Sequence, residues 1–502
     1  MKKHIFLSAI MVLSAVLLIT SCQKSAGDKM VLLPVKEDPT ISIRLLFKVG
    51  SQDDPAGKEG LAALTASMIT EAASQQNSYA QIVEKLYPLA ANINNQVDKE
   101  MTVIYGRVYK DKLDDYYSLL KEVVLTPAFK DEDFERLKKS TLNYLENYLR
   151  YADDEELGKK ALHEFIFEGT SYGHIVEGHV SSVQSITLDD VKEFYKKYYT
   201  WENLVIGLGG SYDDAFVTQI DNDLKALPRG KPVQPAAPMP KPINGTQVLI
   251  IEKPGANATA ISFGYPIDIL RGQEGFYALD LANSWFGEHR NSSSHLYQVI
   301  REARGLNYGD YSYIEYFPNG GSRQFPPPNV ARRQQIFEVW IRPVPNYAKL
   351  FAFRAAVREL HHLVDSGLDK EQFTLTRDFL KNYILNYAPT TMSKLGYKMD
   401  DGFYGIRGDY LDIFPKKMSE LTLDKVNDAV KTYLQDTNMK VVFVTDDAQK
   451  LKDMLVNDTP SPIEYSTPKP ESVLEEDKKI AAYPLVIEAG NVKIVPVDQV
   501  FQ

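Results

Sequence analysis

The sequence is poor in the residues that most often carry covalent and metal chemistry. It has one cysteine, Cys22, and eight histidines in 502 residues. A single cysteine excludes an intramolecular disulfide framework and any zinc site built on several thiolates. A basic surplus is also missing: 57 Lys and Arg stand against 67 Asp and Glu, a formal net charge of -10. That argues against a nucleic-acid partner, because phosphate binding needs clustered positive charge. Past the N-terminus, no apolar run reaches the roughly 20 residues of a membrane span. What remains is an ordinary globular composition, 44% hydrophobic and 25% charged, long enough for two to four domains.

The N-terminus reads Met1-Lys2-Lys3-His4, then an apolar stretch from Ile5 to Ile19, then Thr20-Ser21-Cys22. A basic segment followed by an apolar one is a secretory signal. Leu18 to Cys22 resembles a bacterial lipobox, which implies cleavage before Cys22 and lipidation of its thiol; the other reading is an uncleaved signal anchor. Residues 1–21 are thus the expected signal peptide and 22–35 a polar tether. Losing Lys2 and Lys3, with no acidic residue before Cys22, takes the net charge from -10 to -12. The expected location is the bacterial cell envelope, lipid-anchored and facing the periplasm from the outer membrane.

The body reads as α+β. Period-two alternation places Ile41, Ile43, Leu45, Phe47 and Val49 on one face of a strand. Strands are also expected at 101–108, 203–209, 247–252, 259–265, 336–342, 439–445 and 492–497, and helices at 133–150, 348–364 and 370–385. An internal duplication organises them. Gly57-Lys-Glu-Gly-Leu-Ala-Ala-Leu64 recurs as Gly272-Gln-Glu-Gly-Phe-Tyr-Ala-Leu279. Phe134 with Asn143-Tyr144 recurs as Phe373 with Asn382-Tyr383, and Thr187-Leu-Asp-Asp-Val191 as Thr422-Leu-Asp-Lys-Val426. The offset runs 215, 239 and 235 residues, so the second copy carries an insertion. Two homologous units, 36–227 and 246–455, are expected, joined by a Pro-rich linker at 228–245 and followed by an extended C-terminal arm at 456–502.

Val49-Gly-Ser-Gln-Asp-Asp-Pro-Ala-Gly-Lys-Glu-Gly-Leu-Ala62 resembles the opening of the M16 family, the insulinase-like inverted zincin peptidases. The resemblance implies paired antiparallel sheets with helices packed on them. In that family a His-x-x-Glu-His motif follows on a helix; its His pair and a distant Glu hold zinc, and the motif Glu activates water. The motif positions here are Ala63, Ala66 and Ser67, and the distant Glu maps to Glu146. Glu146 is either a solvated helix carboxylate or a leftover facing a dead pocket. One carboxylate cannot hold a catalytic zinc, which takes three protein ligands. No metal and no hydrolysis are expected of this chain alone.

A second family segment is intact. Ser292 to Tyr308 resembles the second-half stretch in which an Arg, and a Tyr seven residues later, face the active site; these are Arg301 and Tyr308. A helix ending at Gly305 and a strand over 308–316 would converge the two side chains. Such donors stabilise the oxyanion of a tetrahedral intermediate; the alternative is a surface Arg beside a core Tyr. The resemblance implies a non-catalytic subunit whose partner carries His-x-x-Glu-His and the zinc, the pair enclosing a peptide substrate. The competing reading is a stand-alone pseudo-peptidase that binds peptides or envelope proteins without cutting them. Other histidines read as decoys. His174, Glu177 and His179 lie in a glycine-flanked loop, Glu288, His289 and His295 beside a Ser-rich turn are expected to be solvated, and His361 and His362 diverge on a helix.

Overall fold

The computed structural model describes residues 29–233 and 236–502. The expected signal peptide and Cys22 lie outside the described residues. The chain builds two mixed sheets. The first contains β1 (Met30–Pro34), β2 (Thr40–Phe47), β3 (Asn94–Val97), β4 (Thr102–Tyr109) and β5 (Leu204–Gly210). The second contains β6 (Gln247–Glu252), β7 (Ala258–Ile267), β8 (Asp310–Tyr313), β9 (Gln335–Pro345), β10 (Lys440–Thr445) and β11 (Val492–Pro496). Their strand orders, β1-β5-β2-β4-β3 and β11-β6-β10-β7-β9-β8, coincide once β11 is set aside. The pairing senses also coincide: β1 with β5 and β6 with β10 are parallel, and the rest of each shared ladder is antiparallel. The fold is α+β, and the duplication seen in the sequence is a duplication of topology.

The strand starts locate the insertion. Asp310 follows Asn94 by 216 residues, whereas Gln335 follows Thr102 by 233, so the extra residues lie between β8 and β9. This loop fastens the second half to the first. Gln96 Nε2 donates to the carbonyls of Pro328 and Asn329, both at 2.9 Å. Arg332 Nε meets Asp98 at 2.7 Å, and Arg333 pairs with Glu100. Asn329 is fully buried at φ 63°, a left-handed conformation that Asn tolerates through local side-chain hydrogen bonds. Its amide accepts from Arg44 at 2.8 Å and donates to Asp400 at 2.9 Å.

Each sheet is covered on one face by its own helices and on the other by a helix of the opposite half. Helix Asp154–Ile166, from the first half, packs Leu157, Ala161, Leu162 and Ile166 against Ile251, Ala260, Val442 and Val444 of the second sheet. Helix Thr391–Tyr404, 237 residues later, packs Leu395 and Met399 against Leu46 and Val103 of the first. Close approach is arranged differently on the two sides. In the first sheet the strand gives way: a Cβ on Gly209 would lie 2.9 Å from Thr391 Cγ2, and one on Gly207 2.6 Å from Met399 Sδ. In the second sheet the approach is ordinary: a Cβ on Gly158 would lie 3.4 Å from Val444 Cγ2. The borrowed helix also explains β2. Its alternation predicts one apolar face, yet Ser42 and Arg44 on the other face are buried too. Arg44 Nε donates to Met392 O at 3.1 Å, and burial pulls its guanidinium down to about 10.

Two boundaries differ from the sequence reading. Met30–Pro34 lies inside the expected tether but forms β1, pairing parallel with β5 through backbone bonds that its sequence does not advertise. The expected extended arm is structured. Helix Glu471–Ala481 packs on helix Lys349–Ser366, and Asp477 holds Arg304 at 2.8 Å. β11 extends the second sheet beside β6. The last residues turn back to the first half: Val180 N and Ser181 N donate to the carbonyls of Phe501 and Gln502, and Arg150 Nε to Val500 O, all at 2.9 Å. The arm therefore clasps this chain's own halves. Residues 228–233 and 236–245 carry no helix or strand.

Gly209→Ala should destabilise the protein by about 1–3 kcal/mol through overpacking. Thr391→Ser in that background should recover most of the loss, since it removes the methyl that the new Cβ meets and keeps the hydroxyl bonded to Asp38. Urea unfolding of the single and double variants tests this. Phe501→Ala should cost about 3 kcal/mol, because its side chain is buried between the halves.

Candidate functional site

The motif helix spans Leu61–Thr70. Its start is held by Asp54, whose carboxylate accepts from Gly60 N at 2.8 Å and Ala62 N at 2.7 Å. Gly60 sits at φ 99°, and a Cβ there would lie 2.6 Å from the carbonyl of Glu177, so the 173–179 loop closes directly over the helix start. Ala63 and Ser67 are half-buried on this helix and Ala66 is fully buried. Ser67 Oγ donates to Glu71 Oε1 at 3.3 Å, and Asn95 Nδ2 to Thr70 Oγ1 at 2.7 Å. Glu146 is half-buried on the π-helical segment Tyr144–Ala152, which continues helix Asp131–Asn143 where one long helix was expected. Two methyl groups and a hydroxyl offer no imidazole or carboxylate to a metal, so these positions do not fit the zinc that their place in the motif implies. Among the described residues no group of three His, Cys, Asp or Glu side chains could hold a metal ion.

Arg301 lies on the π-helical turn Tyr297–Glu302, with its guanidinium 5.6 Å from the Tyr297 ring centre and 3.5 Å from Glu302. Gly305, at φ 71°, closes the turn with its N–H on Arg301 O at 2.7 Å. The following strand begins at Asp310, not at Tyr308. Asn307 accounts for the delay: its side chain donates to Asp310 at 2.7 Å and to Arg342 O at 3.0 Å, drawing 307–309 into a tight turn that leaves Tyr308 outside the ladder. Tyr308 is 80% exposed. Among the described residues no hydrogen bond joins Arg301 to Tyr308. Both are presented to solvent on one short segment, so the core-Tyr alternative does not hold.

The histidines are individually engaged. His174 lies 3.3 Å from Asp54, Glu177 holds Lys160 at 2.9 Å, and His179 meets Glu164 at 2.8 Å, so the three side chains of the apparent motif go to three partners. His289 is buried, not solvated. It bonds Tyr313 and the carbonyl of Arg323, and burial pulls it down to about 4. His295 meets Glu359 at 2.6 Å beneath the ring of Trp285. His163 reaches across the halves to the buried Glu338 at 2.8 Å.

One polar site was not anticipated. In the second half a cavity of about 60 Å³, continuous with solvent, lies between helix Glu274–Gly287, the strand β8 and helix Thr391–Tyr404. Arg271 projects into it, held by Glu315 at 2.9 Å and surrounded by the rings of Tyr397, Tyr404 and Tyr410. Asp280 and Glu288 line the same space. The available signal was Asp280 itself, an acid in the middle of an otherwise apolar helix that the duplication aligns with the motif helix. Burial pushes Glu288 up to about 7. A carboxyl raised on folding makes the folded state hold more protons than the unfolded one, so its contribution to stability is lost as pH rises through about 7. Glu288→Gln should therefore be near neutral in stability at pH 5 and stabilising by roughly 1–2 kcal/mol at pH 8, measured by thermal unfolding at both pH values.

Comparison with known proteins agrees with this geometry. The profile for insulinase, peptidase family M16, matches residues 29–179, and that for the peptidase M16 inactive domain matches 185–380, together more than half of the chain. A Helicobacter pylori protein described as the non-peptidase homolog YmxG is 23% identical over 419 residues, 80% of this chain and 88% of that protein. An uncharacterized zinc protease of Mycobacterium leprae is 28% identical over 285 residues, 56% of this chain and 62% of the relative. Among solved structures, a peptidase M16 inactive domain from Pseudomonas fluorescens aligns with TM-score 0.74 at 23% identity, over 84% of this chain and 97% of that one. A Helicobacter pylori protease aligns with TM-score 0.70 at 18% identity, over 83% and 96%, and these likenesses show the fold. The chain belongs to peptidase family M16, as a member whose own motif helix carries no metal ligands.

Proposed function

We propose that this chain is the non-catalytic subunit of a two-chain M16 metallopeptidase in the bacterial cell envelope. It would present Arg301 and Tyr308 to a peptide held in an active site whose zinc belongs to a His-x-x-Glu-His partner. The supporting observation is a contrast within one molecule. The metal positions have become Ala63, Ala66 and Ser67, whereas Arg301, half-buried, and Tyr308, exposed, stand seven residues apart on a turn fixed by Gly305 and Asn307. A guanidinium fork and an exposed phenol can donate to an oxyanion on a partner's substrate, and one such donor accounts for about 10²–10³ in turnover where it is fully engaged. The lipid anchor at Cys22 would place the complex at the membrane.

A second reading, a stand-alone peptide binder, is favoured by a groove of about 440 Å³ beside the edge strand β3, lined by Tyr79, Val83, Tyr87, Asn94 and Asn95. Such an edge can take an extended peptide by backbone pairing.

Purification of the tagged chain from its own membranes should recover a partner of similar size in about equal amount. In the reconstituted pair, Arg301→Ala should lower turnover about tenfold or more without loosening assembly. Unchanged turnover, or recovery of the chain alone, supports the second reading. Cys22→Ser should release the protein from the membrane fraction; retention there would refute the lipid anchor.

A further inference from the structure

The cavity of the second half holds acidic groups that the peptidase reading does not use. Asp280 and Asn283 lie one turn apart on helix Glu274–Gly287, and Glu288 caps its C-terminus. All three line the cavity. The one cation acting on Asp280 is Arg271, and Arg271 is itself held by Glu315 at 2.9 Å. Burial and the repulsion of Glu288 and Glu315 push the Asp280 carboxyl up. Neither Asp280 nor Glu288 forms an ion pair among the described residues. The Asn283 side chain adds an independent observation: it is 92% buried, and its Oδ1 has no hydrogen-bond partner. An orphaned acceptor at such a site costs about 1–3 kcal/mol unless something donates to it.

The arrangement selects the ligand. Asp280 and Glu288 are only two carboxyls, and among the described residues no group of three His, Cys, Asp or Glu side chains could hold a metal ion, so the cavity lacks the ligand set of a metal site. Asn283 stands between them. A row of three oxygen acceptors, whose two end carboxyls burial keeps largely protonated until a cation arrives to take the place of the proton, suits an elongated aliphatic ammonium. Tyr313, Tyr316 and Tyr387 wall the same space and offer apolar ring surface to a methylene chain. Tyr387 lies within electrostatic reach of both carboxyls. The mouth is marked by the exposed Gln324. The site is also distinct in register from the degenerate metal motif, because Asp280 aligns with Thr65, between the former ligand positions 63 and 67.

We propose that this cavity is a binding site for an aliphatic primary ammonium, with Asp280 and Glu288 as counter-ions and Asn283 as the acceptor between them. The source is either a free polyamine or a lysine side chain of a bound peptide. Calorimetric titration of the full chain separates them, using spermidine, N-acetyl-lysine methylamide and the uncharged norleucine analogue. Saturable millimolar or tighter binding by at least one amine, and none by the norleucine compound, is the expected result. Preference for spermidine assigns a free polyamine, and preference for the lysine amide assigns a peptide side chain. Asp280→Asn keeps the volume and removes the charge; it should raise the Kd about tenfold or more, the equivalent of roughly 1.4 kcal/mol. Absence of amine binding to the wild-type chain, or equal binding of the norleucine analogue, overturns the proposal without recourse to any variant. An unchanged Kd in both Asp280→Asn and Glu288→Gln overturns the assignment of the site. The assay needs no partner and no turnover, so its outcome is independent of the role given to Arg301 and Tyr308.

Discussion

The reciprocal exchange of helices between the two halves is the constraint on which the rest of the structure depends. A sheet left bare on one face would expose a large apolar surface, and here neither half supplies both of its own covers. Helix Asp154–Ile166 belongs to the first half by sequence and to the second by packing, and helix Thr391–Tyr404 is its mirror in both respects. Close packing at protein density leaves little tolerance at these contacts. The glycines at 207 and 209, both on β5, are where that density leaves no room for a Cβ. The β8–β9 loop adds the ion pairs of Arg332 and Arg333, and the C-terminal residues add a third tie. The halves thus form one cooperative body and not two beads on a proline linker.

This division of labour explains why the motif helix survives without its metal. Its start depends on Asp54 and the left-handed Gly60, and its flank on Asn95 and the β3 edge. None of these needs zinc. Ala66 is fully buried, and a methyl group in that position carries no desolvation cost, whereas a carboxylate there would need a compensating partner. Loss of the ligands therefore removes chemistry and leaves the scaffold intact. The Arg301 turn is likewise held by Gly305 and Asn307 and not by any contact between Arg301 and Tyr308.

Much of the fold was legible because duplication and alternation are local or repeated signals. Six residues of β6 and the helix that follows Asp369 were readable from pattern and cap alone. β1 was not, because Met30–Pro34 becomes a strand only through its parallel neighbour β5, nearly 180 residues away. In the C-terminal segment the strand at 492–497 was legible and is β11, but its pairing with β6 and helix Glu471–Ala481, held by Arg304, were not, because both depend on distant partners. The absence of metal ligands was plain from three letters. The environments of His289 and His295 were not, since a Ser-rich turn reads as solvated until tertiary neighbours such as Tyr313 and Glu359 close over it. The cavity behind Asp280 required knowing which face of an apolar helix meets Tyr387 and Tyr404.

Buried charge is handled differently in two parts of the molecule, and the difference is informative. Between the halves, charges come as matched pairs. Arg332 meets Asp98, His163 meets Glu338 and Arg342 meets Glu155, each within 2.9 Å. Burying an ion is expensive, and such pairing is how a folded interior normally offsets the cost. In the cavity of the second half the matching fails: Arg271 is taken by Glu315, while Asp280 and Glu288 face shared space and Asn283 keeps an orphaned oxygen. The cost of burying a polar oxygen is the same in both places, and in the cavity no ion pair among the described residues offsets it for Asp280 or Glu288. The unmatched oxygens are therefore better understood as one side of an interaction whose other side is not this chain.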